Sequence, residues 1–417
     1  MTYFTIALIS FILILIADII VRVNSFIGIS NKSTEVVAVL NFLTVLCMLK
    51  LSSRFSWKDK TTQKGLLFFK LFMAWSLFAF IRGAFNANDY WDWKVLLLNY
   101  SFSILVPLAI VVGLNYEVSV RMFRFILNKL LLFGFILVPF ALLTDFEMYP
   151  RAMAAVSLLI LFVPYLNQSR WRVLIFIVAV VSISMDVSYR ANTLRIIFPI
   201  ILLCIYLYRR LINTKILNLL ISLFFCVPLI LLLLGISGQY NVFTDNPFDY
   251  EVKAGSESRT ELSNLSADTR TFLYQEVFSS MIKRDSSFII GEGGGAGYDT
   301  YWFADTTLTE RGRYGSEVGF LNTLLYSGAV GVFLYGLILF VSAFYAINQS
   351  NNYLCKMLGL FLAFQWVMFF LENITKMDLN FYFIWIAIGL CLSNRFRALT
   401  DVEVKQFFNL YEYQLSR

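Results

Sequence analysis

The residues of this chain that could carry chemistry are a few arginines and one carboxylate beside long apolar stretches. Arg190 and Arg195 lie five positions apart, where one apolar run ends and the next begins. Arg195 falls about one turn inside the apolar boundary, where a charge is costly unless it faces a cavity or a partner. A guanidinium stays charged and makes bidentate hydrogen bonds, which suits a diphosphate. The alternative is a pair of snorkelling side chains that anchor helix ends.

Two further candidate arginines and one candidate glutamate lie in the one long polar passage of the chain, residues 237–317. Arg270 falls in the first turn of a helix predicted at 268–284, where positive charge is unfavourable. It therefore either pairs with a nearby acid or serves a function. Arg313 and Glu317 follow, and Glu317 stands at the mouth of the next helix. The helix dipole stabilises a carboxylate there, and the same group could act as a general base.

The glycine-rich segment GEGGGAG, residues 291–297, predicts a tight turn, with a backbone-amide site for an anion as the alternative. No Gly-Lys-Ser/Thr follows it, which excludes a nucleotide-binding P-loop. The chain has no histidine. His-based acid–base chemistry and His-ligated zinc are therefore excluded, and no Cys/Asp cluster has metal-ligand spacing. We expect neither a metal nor another cofactor.

The elements that position these residues are membrane spans. Hydrophobic residues make up 59% of the chain and charged residues 15%, against roughly 25% charged in soluble domains. The apolar runs are long enough for helical spans, which predicts an all-α polytopic membrane protein with about twelve transmembrane helices. The predicted spans are 3–21, 36–51, 65–82, 95–114, 124–144, 151–168, 171–187, 191–208, 216–236, 316–346, 354–371 and 379–394.

Orientation follows from the positive charges of the short connectors. Lysines and arginines concentrate in the even-numbered connectors, such as those at Lys50 and Arg209, which predicts that these connectors and both termini are cytoplasmic. The net charge of +7 then reflects topology and not nucleic-acid binding. Three regions result: helices one to nine in 1–236, a large extracytoplasmic loop in 237–316, and helices ten to twelve with a cytoplasmic tail in 317–417.

The loop contains one amphipathic helix. Leu273, Val277 and Met281 recur at every fourth position of the segment predicted at 268–284 and form an apolar stripe. Such a helix lies on the membrane surface or packs over the ends of the spans.

These features together resemble a known family. The segments are SYR at 188–190, DTR at 268–270, FIIGEGGGAGY at 288–298 and SEVGFLNTLLYSGAVG at 316–331. They look like the O-antigen ligase and Wzy-type polysaccharide polymerase superfamily, which are membrane glycosyltransferases of the GT-C class. The likeness covers roughly residues 180–335, and the predicted topology supports the rest.

The resemblance implies roles for the charged residues. Arg190 and Arg270 would bind the undecaprenyl diphosphate of the donor, with Arg195 or Arg313 assisting. In the ligase branch a histidine precedes the span after the large loop and serves as the proposed base. Here Glu317 takes that place and would deprotonate the acceptor hydroxyl. This departure favours the polymerase branch.

The implied protein is an enzyme that joins undecaprenyl-diphosphate-linked repeat units into O-antigen or a related surface polysaccharide. It would act at the periplasmic face of the bacterial inner membrane, without a metal and with inversion. Its partners would be the lipid-linked donor and acceptor, membrane lipids and a chain-length regulator protein, with no nucleic acid.

Three alternatives remain. An O-antigen ligase would use the same donor with lipid A-core as acceptor. A peptidoglycan polymerase has similar hydrophobicity but no matching motif here. A flippase or other transporter would carry charges inside several spans and no large outer loop, whereas Asp18 and Lys70, which fall inside predicted spans, both lie near span ends.

Overall fold

The computed structural model describes residues 2–27, 32–55, 63–127, 157–167, 169–185, 190–237, 251–253, 262–264, 270–300 and 312–415, with the single positions 138, 139, 149 and 153. Most of these residues are helical. The helices are α1 Tyr3–Ile27, α2 Lys32–Arg54, α3 Gln63–Asn86, α4 Tyr90–Val95, α5 Ser101–Leu105, α6 Ile110–Leu114, α7 Tyr116–Phe125, α8 Ser157–Ile160, α9 Ser169–Met185, α10 Arg190–Leu207, α11 Thr214–Ile236, α12 Thr271–Lys283, α13 Gly319–Asn348, α14 Tyr353–Leu371, α15 Leu379–Leu392, α16 Asn394–Ala398 and α17 Asp401–Leu415. A π-helical turn, Leu96–Tyr100, and a 3₁₀ turn, Val106–Ala109, join α4, α5 and α6 into one segment.

The described residues of the long polar passage form two short antiparallel ladders. β1 Glu251–Lys253 pairs with β2 Leu262–Asn264. β3 Gly297–Tyr298 pairs with β4 Arg313–Tyr314. The second ladder ties the end of the glycine-rich segment to the residues that lead into α13.

Seven of the described helical segments are long and apolar enough to cross a membrane. They are Tyr3–Val21, Thr34–Arg54, Gly65–Asn86, Tyr90–Leu114, Thr214–Ile236, Gly319–Asn348 and Tyr353–Leu371. Three shorter apolar helices are Trp171–Ser184, Ala191–Leu207 and Leu379–Leu392. The described residues are thus predominantly helical and include seven candidate spans, in agreement with the predicted all-α polytopic membrane protein.

The number of spans stays a prediction. The predicted span 124–144 falls largely outside the described residues, and the span predicted at 151–168 is described only in part. Of the second, residues 157–167 are described, and they form the four-residue helix α8 followed by the 3₁₀ turn Val163–Tyr165.

The bundle has two chemically different ends. At one end the basic connectors meet: the Tyr353 hydroxyl donates to the Arg209 carbonyl at 2.6 Å, and Tyr165 hydrogen-bonds to Asp401. At the other end lie the C-terminal end of α1, the N-terminal ends of α2, α10, α13 and α15, and the connector after α14. Connectors predicted to share one side therefore do meet, as alternating spans require.

α13 is broken at Gly328, whose φ of 67° and ψ of −172° are not helical. The glycine-rich segment fills the break. The amides of Glu292 and Gly293 donate to α13 carbonyls before the break, at 2.7 and 3.0 Å. The carbonyls of Phe288 and Ile289 accept from α13 amides after it, at 2.8 and 3.2 Å. Backbone groups freed by the break are thus satisfied inside the protein, as a broken membrane helix requires.

α3 holds the same segment from the opposite side. The Arg82 guanidinium donates to the carbonyls of Ile290 and Gly291 at 2.7 and 2.8 Å. The Gly294 amide donates to the carbonyl of Ala79 at 2.8 Å. The amides that an anion site would use are engaged with backbone carbonyls, so the geometry favours the tight turn.

Replacing Gly328 by alanine is expected to destabilise the protein. A Cβ at this position would lie 2.2 Å from the Ile289 carbonyl oxygen, and φ is positive. Strain of this kind costs about 1–3 kcal/mol before the clash is counted. Thermal unfolding of the detergent-purified variant should start at a lower temperature. Phe333→Leu, at an exposed position of the same helix, is the control and should unfold like the parent.

α12 packs over the ends of the spans. Leu273, Val277 and Met281, its predicted apolar stripe, are fully buried. The Tyr274 hydroxyl donates to the Phe370 carbonyl at 2.8 Å, which ties the start of α12 to the last turn of α14. Of the two placements predicted for this helix, the structure has the one against the bundle.

Candidate functional site

A cavity of about 610 Å³ opens at the end of the bundle opposite the basic connectors. Its wall combines side chains of α1, α2, α3, α10, α13 and α15 with the connector between α14 and α15. The volume falls within the roughly 300–1,000 Å³ of small-molecule sites. Apolar side chains such as Phe72 and Ile104 alternate in the wall with polar ones such as Asn192 and Glu372. A ligand with both an apolar and a polar part therefore fits this wall.

The cavity wall contains an ion pair between Arg195 and Glu372. Arg195 Nη2 lies 2.8 Å from Glu372 Oε2, and the two side chains are 9% and 20% exposed. Glu372 is the C-cap residue of α14, where the helix dipole disfavours a negative charge. The buried arginine compensates that charge, and Glu372 in turn compensates the arginine. Arg195 thus has both the cavity and the partner that its place inside the apolar boundary requires.

Arg190 is the first residue of α10, about a turn and a half before Arg195 on the same helix. Its side chain lies outside the described part of the structure. The helix places its backbone at the end of the bundle where the cavity opens.

Arg270 occupies the N-cap position of α12, one residue before the helix begins at Thr271. The prediction placed it inside the first turn, so the helix begins later than expected. Arg270 is half-buried and close to Tyr274. Burial raises the pKa of the Tyr274 hydroxyl, and the positive charge of Arg270 lowers it in part. Because Tyr274 contacts the carbonyl of Phe370, two residues before Glu372, Arg270 lies near the end of α14, and it is outside the cavity lining.

Arg313 and Glu317 form a separate ion pair. Arg313 Nη2 lies 3.1 Å from Glu317 Oε1, and the Glu317 side chain is 57% exposed. Neither residue is part of the cavity wall, although Tyr314, Gly315 and Ser316 between them are. The structure therefore brings Arg195 to the cavity and leaves Glu317 at its rim, paired with Arg313.

The segment between these two residues is held firmly. The Tyr314 hydroxyl donates to Asp92 Oδ1 at 2.8 Å. The Asn322 side chain accepts from the Ser316 amide and donates to the Ser316 carbonyl at 2.8 Å. Residues 312–318 thus form a fixed strap across one side of the cavity.

A second cavity, of about 680 Å³, lies outside the glycine-rich segment. Three of its charges are engaged with one another: Arg284 contacts Glu292 at 3.2 Å and also contacts Asp299, besides the Gly297 carbonyl at 2.6 Å. Burial opposes ionisation of Asp299, but the hydrogen bond and charge of Arg284 hold the pKa of that carboxyl below its ordinary value. These contacts hold the end of α12 against residues 292–299. Among the described residues, no group of three or more His, Cys, Asp or Glu side chains could hold a metal ion.

Sequence reasoning missed Glu372 and the buried asparagines of the wall. In the sequence Glu372 stands in a short connector between two predicted spans, where an acid does not stand out. Asn41, Asn192 and Asn380 stand within or at the ends of apolar runs, and a polar amide in such a run is itself a signal.

No protein-family model matches this chain, and no curated protein or solved structure matches it either.

Proposed function

We propose that this protein is a GT-C-like membrane glycosyltransferase that polymerises undecaprenyl-diphosphate-linked oligosaccharide repeat units into O-antigen or a related surface polysaccharide. In this proposal twelve helices span the bacterial inner membrane, both termini are cytoplasmic, and the cavity opens to the periplasm. The observation that carries it is the buried Arg195 in a cavity at the end of the bundle opposite the basic connectors. Such a cavity suits a lipid-linked anion.

The chemistry needs little beyond charge and position. A lipid-diphosphate glycan is already activated because the diphosphate is the leaving group. Arg195 would stabilise its developing negative charge inside the cavity, with Arg190 on the same helix and Arg270 beside the end of α14. Arg313 would act from the strap. Attack by an acceptor hydroxyl in line with the leaving diphosphate inverts the anomeric carbon.

The acceptor hydroxyl must lose a proton, and two carboxylates could accept it. Glu317 is the residue indicated by the family resemblance, but it lies at the rim in an ion pair with Arg313. Glu372 lines the cavity itself. Arg195 engages its Oε2, and a carboxylate has a second oxygen with which to accept a proton. The geometry favours Glu372 as the general base.

Two alternatives make different demands. An O-antigen ligase would use the same diphosphate site. Deletion of a ligase would leave the lipid A-core uncapped while polymer accumulates on the undecaprenyl diphosphate. Loss of a polymerase leaves single repeat units. A flippase needs a polar path from one side of the membrane to the other, whereas the polar lining of this cavity comes from one end of the bundle.

The proposal predicts that Arg270→Ala or Arg190→Ala abolishes chain extension while the protein still inserts into the membrane. The physical reason is loss of a positive charge that binds the diphosphate. The measurement is the surface-glycan profile of a deletion strain complemented with each variant. Arg210→Ala, at an exposed position among the basic connectors, is the matched control and should restore long chains. Normal polymer from the Arg270→Ala protein would contradict the assignment.

A further inference from the structure

Three buried asparagines converge on the same cavity from three helices. Asn41 of α2, Asn192 of α10 and Asn380 of α15 are 7%, 2% and 7% exposed, and all three line the cavity. Asn192 lies three positions before Arg195, which puts both on one face of α10.

Their polar atoms are not satisfied by the protein. Within the described part of the chain, Asn41 Oδ1, both Oδ1 and Nδ2 of Asn192, and Asn380 Nδ2 are buried and have no hydrogen-bond partner. Arg195 Nε is in the same state. A buried polar group without a partner opposes folding, and apolar residues would fill these positions at lower cost. Several such groups around one cavity indicate that their partner is a ligand.

Asn322 provides the contrast within the same wall. Its side-chain oxygen and nitrogen are both engaged with Ser316. That asparagine has a structural task, which is to hold the strap at the start of α13. The unpartnered amides of the other three have no such task.

The chemistry of the unpartnered atoms defines what they bind. An amide offers both donors and an acceptor and carries no charge. A hydroxyl group is likewise both donor and acceptor. Neighbouring hydroxyls on a ring can therefore donate to the amide oxygens or accept from the amide nitrogens. Sugars and the glycerol headgroups of lipids both carry such hydroxyls. A sugar attached to a diphosphate would place its hydroxyls next to the charge that Arg195 binds.

We propose that Asn41, Asn192 and Asn380 form a subsite for the hydroxyl groups of an uncharged sugar ring, adjacent to the Arg195–Glu372 pair. This inference rests on the proposed function, because it places the sugar ring of a lipid-diphosphate donor at the asparagines and its diphosphate at Arg195. The amides then determine which sugar is accepted, while Arg195 binds the diphosphate common to all such donors.

The test uses the purified full-length protein in phosphatidylcholine nanodiscs. Binding of a panel of methyl glycosides, hexoses and N-acetylhexosamines, is measured by saturation-transfer NMR, and ligand-free stability by thermal unfolding. We expect at least one glycoside to bind the parent protein. In Asn192→Leu its affinity should fall by about tenfold or more, which is the weight of one good hydrogen bond.

Stability separates a ligand-binding role from a structural one. Asn192→Leu should unfold at the same temperature as the parent or higher, because it removes unpartnered polar atoms. Asn322→Leu should unfold at a lower temperature, because it leaves the Ser316 backbone groups without partners. Unchanged glycoside affinity in Asn192→Leu, or a loss of stability like that of Asn322→Leu, would overturn the subsite.

The remaining outcomes are also decisive. Failure of every glycoside to bind the parent protein would overturn the subsite. So would displacement of the bound glycoside by phosphatidylglycerol in the nanodisc, because a lipid headgroup would then be the occupant. Asn192-dependent glycoside binding in a protein whose deletion leaves polymer intact would support the subsite and remove the polymerase proposal. If polymerisation depends on Arg195 but the Asn192→Leu variant keeps its glycoside affinity, the subsite would be overturned and the polymerase proposal would be supported.

Discussion

Arg195→Gln is expected to abolish polymer formation, with a loss on the order of 100- to 1,000-fold or more, as when a preorganised charge stabiliser is removed from an active site. Glutamine keeps much of the side chain's length and hydrogen bonding but loses the charge and the planar fork. Membranes from a deletion strain carrying the variant, supplied with lipid-linked repeat units, should yield single units in place of a ladder of chains.

The same change leaves Glu372 buried without its partner. Breaking a buried ion pair costs about 3–5 kcal/mol, and the side chains here are 9% and 20% exposed. Loss of activity could then reflect loss of folded protein. The double variant Arg195→Gln/Glu372→Gln removes both charges and should regain thermal stability without regaining activity.

Arg195→Lys is the matched charge control. Lysine keeps the positive charge but lacks the planar guanidinium and cannot make the bidentate contact. We therefore expect partial activity with weakened binding of the donor. Long chains from the Arg195→Gln variant at parental membrane levels would remove Arg195 from the diphosphate site.

The general architecture was predictable because lipid imposes one local rule. Every spanning segment must be apolar for about 20 residues and must satisfy its own backbone, and both conditions can be read from consecutive residues. The candidate spans that begin at Tyr3, Gly65 and Tyr353 are examples. The same logic predicted that Leu273 and Val277 share a buried face, because a helical period is a local property.

The break in α13 was not predictable in this way. Gly328 stands in a long apolar run, and nothing in the adjacent sequence indicates that the helix is interrupted there. The interruption exists because a segment some 40 residues earlier supplies hydrogen bonds to both sides of it. Such partners are set by tertiary structure and have no local signature.

The candidate site likewise contains one residue with a local sequence signal and one whose role is set by tertiary structure. Arg195 was predicted because a charge inside an apolar run is conspicuous by itself. Its partner Glu372 follows a different span, and the role of its carboxylate can be recognised only when the fold places α10 and α14 side by side. The helix that Arg270 caps begins three residues later than the predicted position 268, which reflects the low precision of helix ends read from sequence.

The identity of the base is the sharpest remaining question, and a matched pair of substitutions answers it. Glu372→Gln and Glu317→Gln each remove one carboxylate and keep its shape. If Glu372 is the general base, its variant should lose about 10²–10⁴-fold in polymerisation, while Glu317→Gln keeps most of the activity. The opposite ranking would return the role to Glu317, as the family resemblance indicates.

A loss in Glu372→Gln could also arise if the carboxylate only orients Arg195. The two roles differ in what they do to kinetics. A general base contributes an acidic limb to the pH dependence of kcat, because the protonated carboxyl cannot accept the acceptor's proton. Removing it should abolish that limb and leave the KM for the donor nearly unchanged. An orienting residue acts through the diphosphate, so its loss should raise the donor KM and keep the limb. A raised KM with the acidic limb intact would therefore make Glu372 a positioning residue for Arg195.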